Sequence, residues 1–250
     1  MKDAADAHTG APLRYQTHNM HTHTRRGGCV SARKDFAKEH ITMKESYITV
    51  KSSAAAEITE KRSRFIASVK PVSTEDEALE FLNGLKQKYW NATHNVYAYI
   101  IEGNNIMRYS DDGEPGGTAG LPVLEILKKE GLTNIIVVVT RYFGGVLLGT
   151  GGLVHAYSKS AKAGVEAAEI IEMVLCRRID IDIDYTLLGK LQNELSKQDG
   201  IICGEAEYTD RVKLPVFVPE GSVDGFCAMI TDKLNGQVQL VQGDIGYRQK

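Results

Sequence analysis

Two short runs concentrate the residues whose types and spacing could carry chemistry. The first, Asp111-Asp112-Gly113-Glu114-Pro115-Gly116-Gly117-Thr118-Ala119-Gly120, sets three carboxylates and the Thr118 hydroxyl in one tight segment. Oxygen ligands at that density suit a hard cation and metal-assisted hydrolysis. The same carboxylates also suit a rigid Pro-Gly turn that caps the next helix or pairs with Arg141. The second run, Arg141-Tyr142-Phe143-Gly144-Gly145, leads through Gly149-Thr150-Gly151-Gly152 towards a helix bearing His155, Lys159 and Lys162. An arginine and two aromatics at a strand end can meet phosphate and stack on bases. Both glycine loops run into helix N-termini, where backbone N–H groups can face an anion. The competing reading is structural: tight turns and close packing, with Tyr142 and Phe143 in the core and Arg141 paired with Asp111, Asp112 or Glu114.

The glycines support special backbone geometry here. Residues 103–152 hold 11 of the 24, about three times the density elsewhere. Neither loop is a nucleotide fingerprint. G-x-G-x-x-G and G-x-x-x-x-G-K-[ST] are both absent, so neither a dinucleotide nor a P-loop site is expected. No Ser-His-Asp or Cys-His spacing is legible, and His94 and His155 are the only histidines after residue 43. No catalytic residue, resident metal or cofactor is assigned from the sequence.

The elements that must hold these runs follow from periodicity. Residues 47–50 and 64–69 are β-prone. Ser73 and Thr74 then precede apolar residues at helical spacing, giving a capped helix over about 74–89. Residues 94–102 and 106–109 read as a hairpin around Gly103-Asn104-Asn105, and 121–130 as a helix stopped by Gly131. The continuous run Ile135-Ile136-Val137-Val138-Val139 predicts a strand buried on both faces, and 153–168 a helix. Further on, Ile179, Ile181 and Ile183 alternate with Asp180, Asp182 and Asp184, a strand with one dry and one solvated face. A helix near 187–195, strands over 201–208 and 212–218, a helix from 219 and a strand at 238–241 complete a β-α-β-β-α-β order, the ferredoxin-like split motif.

Composition sets the outer limits. The chain has 30 Lys+Arg, 32 Asp+Glu and a formal charge of −2, which argues against bulk electrostatic binding to nucleic acid. No apolar run approaches the ~18 residues of a membrane span. Residues 1–42 hold five of the seven histidines, seven basic and four acidic residues, and few large apolar ones. They cannot bury enough surface to offset their ordering entropy, so a disordered extension is expected, with Met43 as the expected start of translation. Cys29, Cys176, Cys203 and Cys227 form no C-x-x-C pair and are expected as reduced, buried cytoplasmic thiols.

The two runs, with Leu148 to Val154 between and after their glycines, resemble the signature of the IMPACT family in its bacterial two-domain form. The resemblance covers essentially all of 43–250. It implies an α+β chain: residues 43–172 in a ribosomal S5 domain 2-like fold, as in domain IV of elongation factor G, and 173–250 in a ferredoxin-like fold, as in domain V. Eukaryotic relatives regulate translation through a starvation kinase pathway, using an extra N-terminal domain that residues 1–42 are too short to form, so that role is not carried over. His155 stands where relatives often carry Lys or Arg. The preferred expectation is a non-enzymatic, translation-associated protein that binds RNA or the ribosome. The binding set is Arg141, Tyr142, Phe143, Gly144, Gly145, Gly149, Gly151, Gly152, His155 and Lys159. The alternatives are a metal-assisted hydrolase on Asp111, Asp112 and Glu114, and a module that binds a regulatory protein.

Overall fold

The computed structural model describes residues 44–250 apart from Asn104. The extension at 1–42 and the start at Met43 therefore lie outside the described residues. Among the described residues two sheets and five α-helices give the α+β class expected.

The first sheet runs β2 (Ala54–Glu60), β3 (Ser63–Pro71), β6 (Ile135–Tyr142), β4 (His94–Ile101), β5 (Ile106–Ser110), every neighbour antiparallel. Central β6 is buried along all but its last residue, as its unbroken apolar run predicts. Residues Phe65, Ala67, Val69, Val137 and Val139 face α2 (Gly120–Lys129) and α3 (Thr150–Ala167) in the larger core. Tyr99, Ile101, Ile136 and Val138 face α1 (Glu75–Lys88) in a smaller one. The expected cap of α1 is present. Thr74 Oγ1 accepts the Glu77 N–H at 3.2 Å, and the Glu77 carboxylate accepts the Ser73 N–H at 2.7 Å, which satisfies donors the first turn would leave open.

β7 (Ile170–Ile183) anchors the second sheet. Its first residues pair with β1 (Ser46–Val50), and later ones with β10 (Val212–Pro219); β11 (Gln239–Gln249) runs beside most of it. With β8 (Ile202–Cys203) beyond β10, the spatial order β8-β10-β7-β11 is that of the ferredoxin-like motif. Helices α4 (Leu188–Leu195) and α5 (Val223–Lys233) lay Leu191, Leu195, Phe226 and Ile230 over Ile179, Ile181 and Ile183. The alternating aspartates are on the wetter face: Asp180 accepts from Arg178 at 2.8 Å and Asp182 pairs with Arg211. Asp184 caps the next turn by accepting the Thr186 N–H at 3.0 Å.

Besides β2, which no sequence pattern marked, and an earlier start of α3, four features depart from the sequence expectation. β7 is continuous across residues 172 and 173, where the domain boundary was expected. The strand expected over 201–208 splits into β8 and β9 (Glu207–Tyr208). Pro215 on the partner strand has no N–H to offer, and the Gly204 N–H donates to its carbonyl at 2.8 Å, so one extra residue bulges out. β11 continues to Gln249 through a register shift between Gln242 and Ile245. Of the described cysteines Cys176 is buried as expected, but Cys203 is exposed because the short β8 lies at the sheet edge.

Candidate functional site

The first glycine loop closes on itself. β5 ends at Ser110, and the chain turns through Asp112 and Gly113, both at positive φ. The Asp111 carboxylate swings back over the start of α2 and accepts the N–H groups of Gly117 at 2.8 Å, Ala119 at 3.0 Å and Gly120 at 2.8 Å. Three donors and the positive end of the helix dipole are thereby met by a carboxylate of the chain itself. Asp112 accepts the Asn95 N–H at 2.6 Å, and Thr118 donates its hydroxyl to the Pro115 carbonyl at 2.7 Å. A Cβ on Gly120 would stand 2.6 Å from the Ser110 carbonyl oxygen, so the helix start lies directly on β5.

Glu114 enters the core. Its side chain forms an ion pair with Arg141, both nearly inaccessible, and it accepts the Tyr157 hydroxyl from α3 at 2.8 Å. His94 Nδ1 lies 2.7 Å from the Asp112 carbonyl, which fixes Nδ1 as the donor, and Nε2 lies 3.9 Å from Glu114. The guanidinium sits between two rings, 5.5 Å from the Phe65 centroid and 5.6 Å from that of Phe143, and reaches Ser63 Oγ at 3.4 Å. Arg141 Nε has no hydrogen-bond partner; the aromatic faces are what meet its charge there. Burial, then the adjacent Glu114, pushes the Tyr157 phenol well above its ordinary range.

This geometry corrects two expectations. Arg141 is not a surface phosphate contact, because its charge is engaged by Glu114 inside the core. Asp111, Asp112 and Glu114 do not turn their oxygens to one point, because each serves a different partner: α2, β4 and Arg141. Among the described residues no group of three or more His, Cys, Asp or Glu could hold a metal ion. The metal-hydrolase reading loses its proposed ligand set.

The second loop is open. Gly145 and Gly149 have φ of 80° and 75°, and α3 starts at Thr150, three residues before the periodicity suggests. Gly149 caps α3 with no side-chain hydrogen bond. The Leu153 N–H reaches the Gly149 carbonyl, while Thr150, Gly151 and Gly152 precede any intrahelical acceptor. Gly149, Thr150 and Gly151 are exposed, as are His155 and Lys159 one and two turns on. Gly144 is needed for close approach: a Cβ there would fall 2.1 Å from the Arg62 carbonyl group. Phe143 is 47% exposed and Leu147 83%, and the half-buried Tyr142 donates its hydroxyl to Asn91 at 3.0 Å. Of the expected binding set, the structure thus brings Phe143, Gly145, Gly149, Gly151, His155 and Lys159 to an accessible surface, leaves Tyr142, Gly144 and Gly152 half-buried and withdraws Arg141.

Sequence reasoning missed Ser63, Asn95, Thr140 and Tyr157. Thr140 donates to Asn95 Oδ1 at 2.8 Å, and Ser63 accepts the Gly144 N–H at 3.2 Å. Tyr157 sits at core spacing in α3, so nothing in its context marks a polar partner.

Residues 61–165 match the family model described as the Impact N-terminal domain, and 181–237 match a domain of unknown function, DUF1949. The chain is 43% identical over 209 residues to the IMPACT family member YvyE of Bacillus subtilis, covering 83% of this chain and 96% of that protein. It is 32% identical over 184 residues to the IMPACT family member YigZ of Escherichia coli, covering 72% of this chain and 90% of that one. A solved structure described as a hypothetical protein superposes with a TM-score of 0.52 at 29% identity, covering 80% of this chain and 98% of that chain.

Proposed function

The chain belongs to the IMPACT family, and from that premise we propose that it is a non-enzymatic regulator of translation that binds RNA or the ribosome at the second glycine loop. The observation that carries this reading is the N-terminus of α3, exposed without a side-chain cap at the end of the loop that Phe143 opens, while its counterpart on α2 is filled. Free N–H groups and a positive helix end suit a phosphate, and an accessible ring suits a base. Lys159 and His155 extend the same helix towards solvent. Translation enters through the family resemblance, which implies domains like those of elongation factor G. A cytoplasmic site of action follows from the same reading.

The test is cosedimentation with purified ribosomes and titration of a structured RNA across a salt series, using the full chain and Gly151→Glu. A Cβ on Gly151 meets nothing within 4 Å, so the glutamate is accommodated and its charge suits the helix end. Binding should weaken with salt in the wild type and fall at least about tenfold in the variant, the effect of placing an anion where phosphate must sit. Equal binding by both proteins would remove the loop from the interface. A second reading rests on Phe143, Val146 and Leu147, all exposed on this loop, Leu147 to 83%: an apolar cluster of this kind suits a protein partner. Ribosome binding that ignores salt but is lost in Leu147→Ser would favour it.

A further inference from the structure

The hairpin between β2 and β3 turns on Lys61 and Arg62, with φ of 43° and 68°. Glu60 and Ser63 pair across it, so this is a two-residue loop of the kind Asn-Gly fills without strain. Side chains carrying a Cβ are strained by left-handed backbone there. The tip is held against the second glycine loop. The Arg62 carbonyl group packs on Gly144 at a distance that leaves no room for a Cβ, and the Ser63 hydroxyl accepts the Gly144 N–H at 3.2 Å. Both cationic side chains are exposed. Arg64, further along the same hairpin, meets Glu57; among the described residues Lys61 and Arg62 have no carboxylate within ion-pair distance. Phe143, adjacent in sequence to Gly144, presents nearly half its surface. A strained turn thus sets two unneutralised cations beside an exposed ring, on a protein whose net charge is otherwise slightly negative.

We infer that Lys61 and Arg62 form a phosphodiester-binding tip which, with Phe143, takes an unpaired RNA strand. The cations meet successive phosphates and the ring takes a base face, which a stacked duplex cannot offer. This rests on the RNA reading above and adds a cationic tip that lies outside both glycine loops.

The double variant Lys61→Asn/Arg62→Gly tests it, since it removes both charges while installing the residues this turn prefers. Its melting temperature should be no lower than the wild type's. The full chain is titrated with a labelled oligouridylate of about 12 nucleotides and with an RNA duplex of about 16 base pairs, at about 50–200 mM salt. The oligouridylate should bind better than the duplex. In the double variant the slope of log K against log salt should be shallower by about 1.4, two single-strand contacts at ~0.7 each. Phe143→Ala should lose about fivefold or more at fixed salt with the slope kept, and Phe143→Trp should retain binding. An unchanged slope in the double variant overturns this inference while wild-type RNA binding leaves the broader reading standing. Equal affinity for the duplex overturns the assignment to unpaired RNA. Absence of wild-type binding to either RNA and to ribosomes overturns both.

Discussion

Asp111 and Gly149 stand at comparable points of two successive strand–loop–helix units, one ahead of α2 and the other ahead of α3. Ahead of α2 a carboxylate takes three N–H groups, a buried glutamate reaches into the core, and the helix start lies on the Ser110 carbonyl. Ahead of α3 the cap is a glycine without a side chain, Gly145, Gly149 and Gly151 stand in open space, and Phe143, Val146 and Leu147 face solvent. The same glycine-rich composition therefore yields one joint that is electrostatically complete and another that lacks a counter-ion. A glycine loop before a helix is an anion site only when the chain has not already supplied the anion.

The contrast between the loops is tested most severely at Glu114. If the first loop is structural, Glu114→Gln leaves Arg141 charged and buried without its partner, which costs about 3–5 kcal/mol. Urea denaturation measures this, and a loss under about 1 kcal/mol would mean the pair is not holding the loop in place. Tyr157→Phe should come next. It deletes one hydrogen bond to a charged group, worth about 1.5–3 kcal/mol. It also removes a pH dependence. The Tyr157 phenol is raised in the folded state, so its contribution is complete below the ordinary tyrosine value of about 10 and is lost as pH rises beyond it. Wild-type stability should therefore decline in alkali more steeply than that of Tyr157→Phe; parallel curves above pH ~10 would contradict the assignment.

Asp111→Ala should cost less, about 1–2 kcal/mol, the range for loss of a capping side chain, because no buried charge is left without its partner. The same variant also tests anion binding. With the internal carboxylate gone, α2 should take on the character of α3, and added phosphate should raise the variant's melting temperature more than the wild type's. Equal shifts would show that the emptied loop is not an anion site and would weaken the analogy between the loops.

Much of the fold was legible in residue patterns. The apolar run at 135–139, the alternation at 179–183 and the Thr74 cap specify local structure strongly, and their elements formed where expected. β2 escaped notice because Ala54-Ala55-Ala56 has neither alternation nor β-branched side chains; it is a strand because β3 pairs with it along its whole length. The site was harder. Sequence spacing brought Arg141 and the three carboxylates under consideration together but could not choose between surface and core, since that depends on which face of β6 carries Arg141. The face is fixed by long-range pairing with Phe65, and Phe65 lies on the larger core's side. Lys61 and Arg62 gave no signal, because their interest lies in φ values and in contact with Gly144, far along the chain.

The smallest effect separates the loops most cleanly. Gly151 lies in the first turn of α3 at ordinary φ, and an added Cβ meets nothing. Gly151→Ala should therefore stabilise the protein by about 0.4–1 kcal/mol by restricting the unfolded chain. The backbone N–H survives the substitution, so RNA affinity should change far less than in Gly151→Glu, where a charge is added. If alanine alone abolishes binding, the ligand must approach the backbone more closely than a methyl group permits, and the loop is a steric cradle. If alanine binds normally and glutamate does not, the recognition is electrostatic, as the missing counter-ion at α3 implies.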